Sequence, residues 1–226
     1  MSTKTVYLIS GANRGIGYGL TSALAARPNT IVFAGARNPG AQSLTELAAK
    51  HPNVHPVKLT MADPVDNEAA IAHIQKTAGQ LDVIIANVGV LQHIGPLVST
   101  PLSQFQDHWE PRTSSSSRPP TGTPTLAFIS SLAGSVGWPY FDMGQATYGA
   151  TKAAANYFVK ALDAEHPTLV ALAIHPGWVA TEPGNASAVR NGLERAPVDV
   201  EESVAGGFGA HRWGDEGEEQ RAFLEL

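Results

Sequence analysis

The most informative stretch of this 226-residue sequence is Ser10-Gly11-Ala12-Asn13-Arg14-Gly15-Ile16-Gly17. It follows an apolar run, residues 5–9, whose lack of polar alternation predicts a strand buried on both faces. Ile16, Leu20 and Leu24 then lie four residues apart and predict one face of a helix. Glycines at such a turn let the backbone approach a pyrophosphate, whose charge is held by the positive end of the helix. The stretch therefore predicts dinucleotide binding, and the alternative is a plain glycine turn.

Short apolar runs alternate with helical patterns along the rest of the chain. Leu44 and Leu47 mark a second helix, and Asp63 followed by Pro64 is typical of an N-cap and a first-turn proline opening a third. A longer helical pattern covers residues 147–165. The predicted strands are Thr5–Ile9, Ile31–Ala34, Val54–Leu59, Leu81–Ala86, Leu126–Ile129 and Leu169–Ile174. This alternation predicts an α/β fold, a single doubly wound parallel sheet of Rossmann type.

The charge pattern limits the classes of partner. The net charge is −5, and most of it lies in residues 214–226, which hold five acidic residues and one arginine. The rest of the chain is nearly neutral, so it offers no basic face to a nucleic acid and no cationic amphipathic stretch to a membrane surface. We therefore expect no nucleic acid and no membrane partner.

The sequence contains no cysteine, which excludes disulfide scaffolds, thiol nucleophiles and cysteine metal sites. His51 and His55 have a helical ligand spacing, but Pro52 lies between them and favours a turn, so no metal site is expected. Residues 1–5 lack the features of a secretory signal, and no apolar run has the length of a membrane span. These observations favour a cytoplasmic protein.

A basic residue at the end of the second predicted strand indicates which dinucleotide binds. An NAD-preferring site places an acidic residue there to hold the adenosine ribose, whereas this chain has Arg37. Arg37, with Arg14 in the glycine-rich turn, would bind the extra phosphate of NADP through charge-assisted hydrogen bonds. The alternative is an exposed arginine at a strand end.

The sequence Tyr148-Gly149-Ala150-Thr151-Lys152 places a phenol and an ammonium on one face of a helix. A free tyrosine has a pKa of about 10, so it relays protons poorly at neutral pH unless a nearby cation favours the phenolate. Lys152 is expected to supply that cation. Ser131 ends one predicted strand, where its hydroxyl would bind a carbonyl oxygen, and residues 175–181 follow the next strand. Open α/β folds bind ligands at this carboxyl edge.

Taken in order, these motifs resemble the short-chain dehydrogenase/reductase family over residues 3–110 and 124–205. The matching features are the glycine-rich turn, Ala86-Asn87-Val88-Gly89, the strand-end Ser131, the Tyr148 and Lys152 pair, and Pro176-Gly177. The sequence as a whole also resembles fungal ketoreductases of the norsolorinic acid reductase type. The resemblance implies an NADPH-dependent oxidoreductase that reduces a ketone or quinone carbonyl.

The resemblance also implies a role for each matching residue. Tyr148 would donate a proton to the carbonyl oxygen, Ser131 would orient that oxygen, and Lys152 would lower the pKa of the tyrosine and hold the nicotinamide ribose. The implied catalytic residues are thus Ser131, Tyr148 and Lys152. The implied cofactor-binding residues are Gly11, Asn13, Arg14, Gly15, Ile16, Gly17, Arg37, Asp63, Asn87, Gly89, Tyr148, Lys152, Pro176, Gly177, Val179 and Thr181.

The chain departs from the family pattern at three places. Thr60 follows the third strand where the family has an adenine-binding aspartate, so Asp63 either substitutes for it or only caps its helix. Residues 111–125 are rich in serine and proline where the family has its catalytic asparagine and a sheet-covering helix. Residues 206–226 form an acidic tail without the family's final strand. The predicted domain is therefore residues 1–205, interrupted at 111–125.

These departures leave a second function open, a catalytically impaired dinucleotide-binding protein that acts as a sensor or scaffold. Homo-oligomers are common in the family, but the usual interface helix is the segment that is altered, so the oligomeric state stays open. We also expect a bulky or aromatic carbonyl substrate, because aromatic side chains follow Ser131 in the sequence. The alternative is that these side chains only pack their loop against the core. Those side chains are Trp138, Tyr140, Phe141 and Met143.

Overall fold

The computed structural model describes residues 4–61, 63–89, 123–137 and 145–208. Its strands are β1 (Thr5–Ser10), β2 (Thr30–Ala36), β3 (Val54–Lys58), β4 (Val83–Ala86), β5 (Thr125–Ile129) and β6 (Val170–Ile174). They form one six-stranded sheet in the order β3-β2-β1-β4-β5-β6. The β1–β2, β1–β4, β2–β3 and β4–β5 pairs are parallel. The predicted doubly wound α/β fold is confirmed.

The first four helices along the chain lie where the sequence predicts them, whereas the helix at 182–190 was not predicted. The helices are α1 (Gly15–Ala25), α2 (Gln42–Lys50), α3 (Pro64–Ala78), α4 (Ala146–Glu165), α5 (Glu182–Arg190) and α6 (Val200–Phe208). A single 3-10 turn, Leu132–Gly134, follows β5. Leu20, Leu24, Leu44 and Leu47 are buried, as their spacing predicts for the inner faces of α1 and α2.

Each predicted strand differs from the observed one by one or two residues at one or both ends, and two of these differences are informative. Strand β4 begins at Val83 rather than Leu81, because the carboxylate of Asp82 accepts the N–H of Val6 over 2.8 Å where a backbone carbonyl would continue the ladder. Thr125 was expected to end the Ser/Pro-rich loop, but it is the first residue of β5 and pairs with Val83. Its β-branched side chain suits a strand position.

The chain divides into two compact units. The first comprises residues 1–88, 112–128 and 166–171. Its core is a cluster of buried side chains from β1, β2, β3 and α3, namely Val6, Leu8, Phe33, Val57 and Ile74. Burial of large apolar side chains of this kind is the main favourable contribution to folding.

The second unit comprises residues 89–111, 129–165 and 172–226. Its longest element is α4, and α5 begins with Thr181 as N-cap and a proline in the first turn. The hydroxyl of Ser203 on α6 donates to the carbonyl oxygen of Pro176 over 2.6 Å. The segment after β6 is thereby tied to α6.

Several expectations fall on residues outside the described ranges. They concern the Ser/Pro-rich run up to residue 122, the aromatic loop at 138–143 and the tail from 209 to 226. Among the residues that the structure does describe, no group of three or more His, Asp or Glu side chains is arranged to hold a metal ion. Within the same ranges, no helix combines the length and the apolar character needed to cross a membrane.

Candidate active site

The glycine-rich turn between β1 and α1 is closely packed. Gly11 and Gly15 have φ angles of +68° and +55°, a conformation that L side chains rarely adopt. A Cβ atom added at Gly17 would lie 2.3 Å from the carbonyl oxygen of Gly11 and 2.7 Å from Nδ2 of Asn87. The turn therefore requires glycine for both backbone conformation and close approach.

The N-terminus of α1 is suited to an anion. Its N-cap residue, Arg14, makes no side-chain capping hydrogen bond, and the first turn contains no acidic residue. The first N–H groups of a helix lack partners within the helix and carry the positive end of its dipole. Asn13 is held by the hydroxyl of Ser43, which donates to its carbonyl oxygen over 2.7 Å. These residues fit the pyrophosphate of a dinucleotide.

Asn87 is fixed against the same turn by Ser10. The hydroxyl oxygen of Ser10 accepts the N–H of Asn87 at 3.0 Å and that of Val88 at 3.2 Å. The amide Nδ2 of Asn87 donates to the carbonyl oxygen of Ser10 at 3.0 Å. The structure thus brings Asn87 to the glycine-rich turn. Ser10 is a positioning residue that the sequence analysis missed, although a hydroxyl at the end of a strand next to this turn was a visible signal.

Arg37 and Asp63 lie after β2 and before α3. Arg37 is exposed. The carboxylate of Asp63 accepts the N–H groups of Val65 at 3.0 Å and Asp66 at 3.2 Å. The capping role expected of Asp63 is confirmed, and an adenine contact stays a prediction.

In the second unit, the structure brings together Ser131, Tyr148 and Lys152. Tyr148 and Lys152 are one turn apart on α4, with the Nζ atom of Lys152 5.5 Å from the centroid of the Tyr148 ring. Lys152 is only 6% exposed, and its Nζ donates to the carbonyl oxygen of Ile129 over 2.7 Å. The side chain of Ser131 lies close enough to the phenol of Tyr148 to lower its pKa. The Ser131 oxygen also accepts the N–H of Ala133 at 3.2 Å.

The pKa of Tyr148 differs from the sequence expectation. Burial of the phenol raises its pKa above the ordinary value, and the nearby side chain of Ser131 opposes that effect. The pKa of Lys152 is lowered to about 8 because its ammonium is buried. The expected lowering of the Tyr148 pKa by Lys152 is therefore not what the structure gives. Loss of solvent around the phenol outweighs the lowering effect of Ser131.

Two further predicted regions surround these side chains. A Cβ atom added at Gly89 would lie 3.3 Å from the Nζ of Lys152, so Gly89 leaves space beside the ammonium. After β6, Val179 is buried and forms a bridge with Val198. The hydroxyl of Thr181 accepts the N–H of Gly184 at 3.3 Å as the N-cap of α5. Val179 and Thr181 are thus held rigidly in the segment that Pro176 and Gly177 begin.

The predicted site residues therefore fall into two groups. Those in the first unit are Gly11, Asn13, Arg14, Gly15, Ile16, Gly17, Arg37, Asp63 and Asn87. Those in the second unit are Gly89, Ser131, Tyr148, Lys152, Pro176, Gly177, Val179 and Thr181. The first group fits a phosphate-bearing ligand. The second offers a half-buried proton donor, a serine hydroxyl beside it and a buried amine, a set that suits proton transfer to an oxygen atom.

Comparisons with known proteins agree with this chemistry. A family model described as enoyl-(acyl carrier protein) reductase matches residues 11–198. An uncharacterised oxidoreductase of Schizosaccharomyces pombe is 34% identical over 193 residues, which make up 80% of this chain and 76% of that protein. A norsolorinic acid ketoreductase of Emericella nidulans is 33% identical over 219 residues, 90% of this chain and 83% of that protein. The solved structure of a carbonyl reductase from Pseudomonas aeruginosa PAO1 has a TM-score of 0.73 and 28% identity, covering 89% of this chain and 88% of that one.

Proposed function

Because this chain belongs to the short-chain dehydrogenase/reductase family and is an oxidoreductase with ketoreductase relatives, we propose that it reduces a ketone or quinone carbonyl with NADPH. The observation that carries the proposal is the pair of Tyr148 and Lys152 one turn apart on α4, with the buried Nζ of Lys152 5.5 Å from the centroid of the phenol ring. Because burial raises its pKa, the phenol of Tyr148 is protonated at neutral pH and would release that proton only with a cation such as Lys152 nearby.

The proposed reaction assigns one task to each side chain. NADPH supplies a hydride, which forms the new C–H bond at the carbonyl carbon. Ser131 donates a hydrogen bond to the carbonyl oxygen, and Tyr148 gives its phenolic proton to that oxygen as negative charge develops on it. Lys152, held by the carbonyl of Ile129, provides a positive charge near the phenolate that remains. The product is an alcohol, and the reverse direction oxidises an alcohol.

The cofactor assignment rests on the first group of site residues. Gly11, Gly15 and Gly17 give the backbone access that a pyrophosphate requires, and the uncapped start of α1 favours its charge. The exposed guanidinium of Arg37 follows β2, where a site for NAD would carry an acidic residue. We assign the extra phosphate of NADPH to Arg37 and Arg14. Asn87 would contact the adenosine half, and Val179 and Thr181 the nicotinamide end.

The substrate class follows from two observations. The sequence at 138–143 is rich in aromatic side chains, which favour flat apolar ligands. A ketoreductase named for norsolorinic acid is among the relatives of this chain. Both support a bulky aromatic ketone or quinone. The intact set of Ser131, Tyr148 and Lys152 supports an enzyme over the sensor or scaffold alternative.

The proposal is tested with the purified full chain and NADPH. Flat aromatic ketones and quinones are compared with small aliphatic ketones, and the alcohol or hydroquinone formed is identified by mass spectrometry. We expect one molecule of reduced product for each NADPH oxidised, with the aromatic compounds preferred. NADPH binding without reduced product from any carbonyl class would contradict the proposal.

A further inference from the structure

The short segment that carries Ser131, residues 130–134, lies directly on α4. A Cβ atom added at Gly134 would approach the carbonyl carbon and the Cβ of Lys152 to 2.7 Å. A Cβ atom added at Gly149 would lie 2.6 Å from the carbonyl oxygen of Ala133. The segment and the helix therefore touch backbone to backbone, and the helix determines where Ser131 can lie.

Asn156 on α4 joins this segment on both sides of Ser131. The hydroxyl of Ser130 donates to Oδ1 of Asn156 over 2.5 Å. The amide Nδ2 of Asn156 donates to the carbonyl oxygen of Gly134 over 3.4 Å. One side chain thus holds the residue before Ser131 and the end of the turn after it.

The serine partner in the first of these hydrogen bonds is buried, and Asn156 is half-buried. Ser130 is 5% exposed, and its N–H donates to the carbonyl oxygen of Ile174 over 2.7 Å. A buried hydroxyl that loses its acceptor incurs a desolvation penalty. If Asn156 were replaced by an apolar residue, the Ser130 hydroxyl would have to find another partner, and the segment would have to shift to provide one.

Tyr148, Lys152 and Asn156 follow one another at intervals of four residues on α4. Side chains at this spacing share one face of a helix. Asn156 lies two turns from Tyr148 and makes its hydrogen bonds to Ser130 and Gly134 rather than to the phenol. The same helix face thus carries the phenol, the ammonium and the amide that holds the serine segment.

We infer that Asn156 is a positioning residue for carbonyl reduction, which holds residues 130–134 so that the Ser131 hydroxyl stays beside the phenol of Tyr148. This inference deepens the proposed function and rests on it for the catalytic consequence. The geometry of Ser131 and Tyr148 can also be observed without turnover, so the two claims are separable. A displacement of a catalytic group by about 1 Å can cost on the order of a hundredfold in rate.

The test compares three variants with a matched control. Asn156→Leu removes both hydrogen bonds while keeping a side chain branched at Cγ. Asn156→Asp keeps the acceptor for Ser130, and Ser130→Ala removes the donor. Asn53→Leu is the control, because the half-buried Asn53 also bonds two backbone carbonyls, those of Ala25 at 3.0 Å and Thr30 at 3.3 Å. The Asn53→Leu variant shows how much stability is lost when an asparagine that binds two backbone carbonyls is removed elsewhere in the chain.

The first readout is the ¹³Cζ resonance of Tyr148 at pH 7 in protein labelled at tyrosine, assigned with Tyr148→Phe. We expect Asn156→Leu and Ser130→Ala to move this resonance in the same direction as Ser131→Ala does, and Asn156→Asp to restore most of the shift. Asn53→Leu should leave it in place. A resonance that moves in Ser131→Ala but not in Asn156→Leu would overturn the inference, and so would a resonance that Ser131→Ala itself leaves unmoved.

The second readout is steady-state carbonyl reduction. We expect kcat to fall by about ten- to a hundredfold in Asn156→Leu, with the KM for NADPH changed less than about twofold. An unchanged kcat would overturn the catalytic part of the inference. If the wild-type chain bound NADPH but reduced no carbonyl, the proposed function would fail, whereas coupling of Asn156 to the Tyr148 resonance would still support the positioning contact.

Discussion

The Nζ atom of Lys152 donates a hydrogen bond to the carbonyl oxygen of Ile129 over 2.7 Å, joining the middle of α4 to the end of β5. This contact orients the ammonium, but it does not replace the water lost on burial, and the pKa of Lys152 is lowered to about 8. Its neutral form is therefore favoured in the folded chain relative to the unfolded chain, for which the value is 10.5.

This shift predicts a pH dependence of stability that Lys152→Met removes. Between pH 8 and 10.5 the unfolded chain binds more protons at this site, so the wild-type free energy of unfolding should rise relative to that of the variant as pH increases. The limiting slope is about 1.4 kcal/mol per pH unit. Urea denaturation at pH 7.5, 8.5 and 9.5 measures it, and a stability difference independent of pH would contradict the burial of the ammonium.

His175 predicts a dependence at lower pH. Its Nδ1 accepts the N–H of Leu132 at 3.2 Å, which requires an unprotonated Nδ1, and burial lowers its pKa below 6.5. The unfolded chain then binds more protons below pH 6.5, so this contribution to stability is complete above that pH and is lost as pH falls. His175→Asn offers an acceptor that does not titrate.

The comparison for His175 is made by urea denaturation from pH 7 to pH 5. The free energy of unfolding of the wild type should fall more steeply than that of His175→Asn. If the free energies of unfolding of the two proteins ran parallel with pH, the claim that this contact requires a neutral His175 would be contradicted.

The glycine-rich turn predicts that Gly17→Ala abolishes cofactor binding. The added methyl would lie 2.3 Å from the carbonyl oxygen of Gly11, so the turn must shift, at a cost of about 1 to 3 kcal/mol in the free energy of unfolding. Gly206→Ala is the control, because nothing lies within 4 Å of a Cβ at that exposed position in α6. Fluorescence titration with NADPH checks the result, and wild-type affinity in folded Gly17→Ala would contradict it.

The cofactor assignment predicts that Arg37→Asp weakens the binding of NADPH but not the binding of NADH. Losing charge-assisted hydrogen bonds to a phosphate should raise the Kd for NADPH by about ten- to a hundredfold. Arg37→Lys keeps the positive charge but lacks the planar guanidinium. Its Kd for NADPH should therefore lie between the values of the wild type and Arg37→Asp. Equal losses for NADPH and NADH would indicate that Arg37 supports the fold of the site instead of reading the phosphate.

Most of the fold was predictable because its signals are local. Buried strands without polar alternation and helices with four-residue spacing set the order of the elements, and the Asp63-Pro64 pair marked the start of α3. The family resemblance carried by the Tyr148 and Lys152 motif is confirmed. Boundaries such as that at Val83 depend on a contact between the Asp82 side chain and the backbone of another strand and could not be predicted.

The electrostatics of the site were less predictable, because they depend on burial. The spacing of Tyr148 and Lys152 indicated a lowered phenol pKa, yet the amount of solvent lost around both groups reverses that expectation for Tyr148. Asn156 carried a visible signal, a polar residue four positions after Lys152 in an alanine-rich stretch. Its partners come from a segment more than twenty residues earlier, and only the folded structure brings them together.

The most direct test of the central claim compares the wild type with Tyr148→Phe for NADPH binding and for reduction of an aromatic ketone. We predict that Tyr148→Phe binds NADPH with a Kd within about twofold of the wild-type value, while kcat falls by about a hundredfold or more because the proton donor is lost. Turnover by Tyr148→Phe at the wild-type rate would contradict the account.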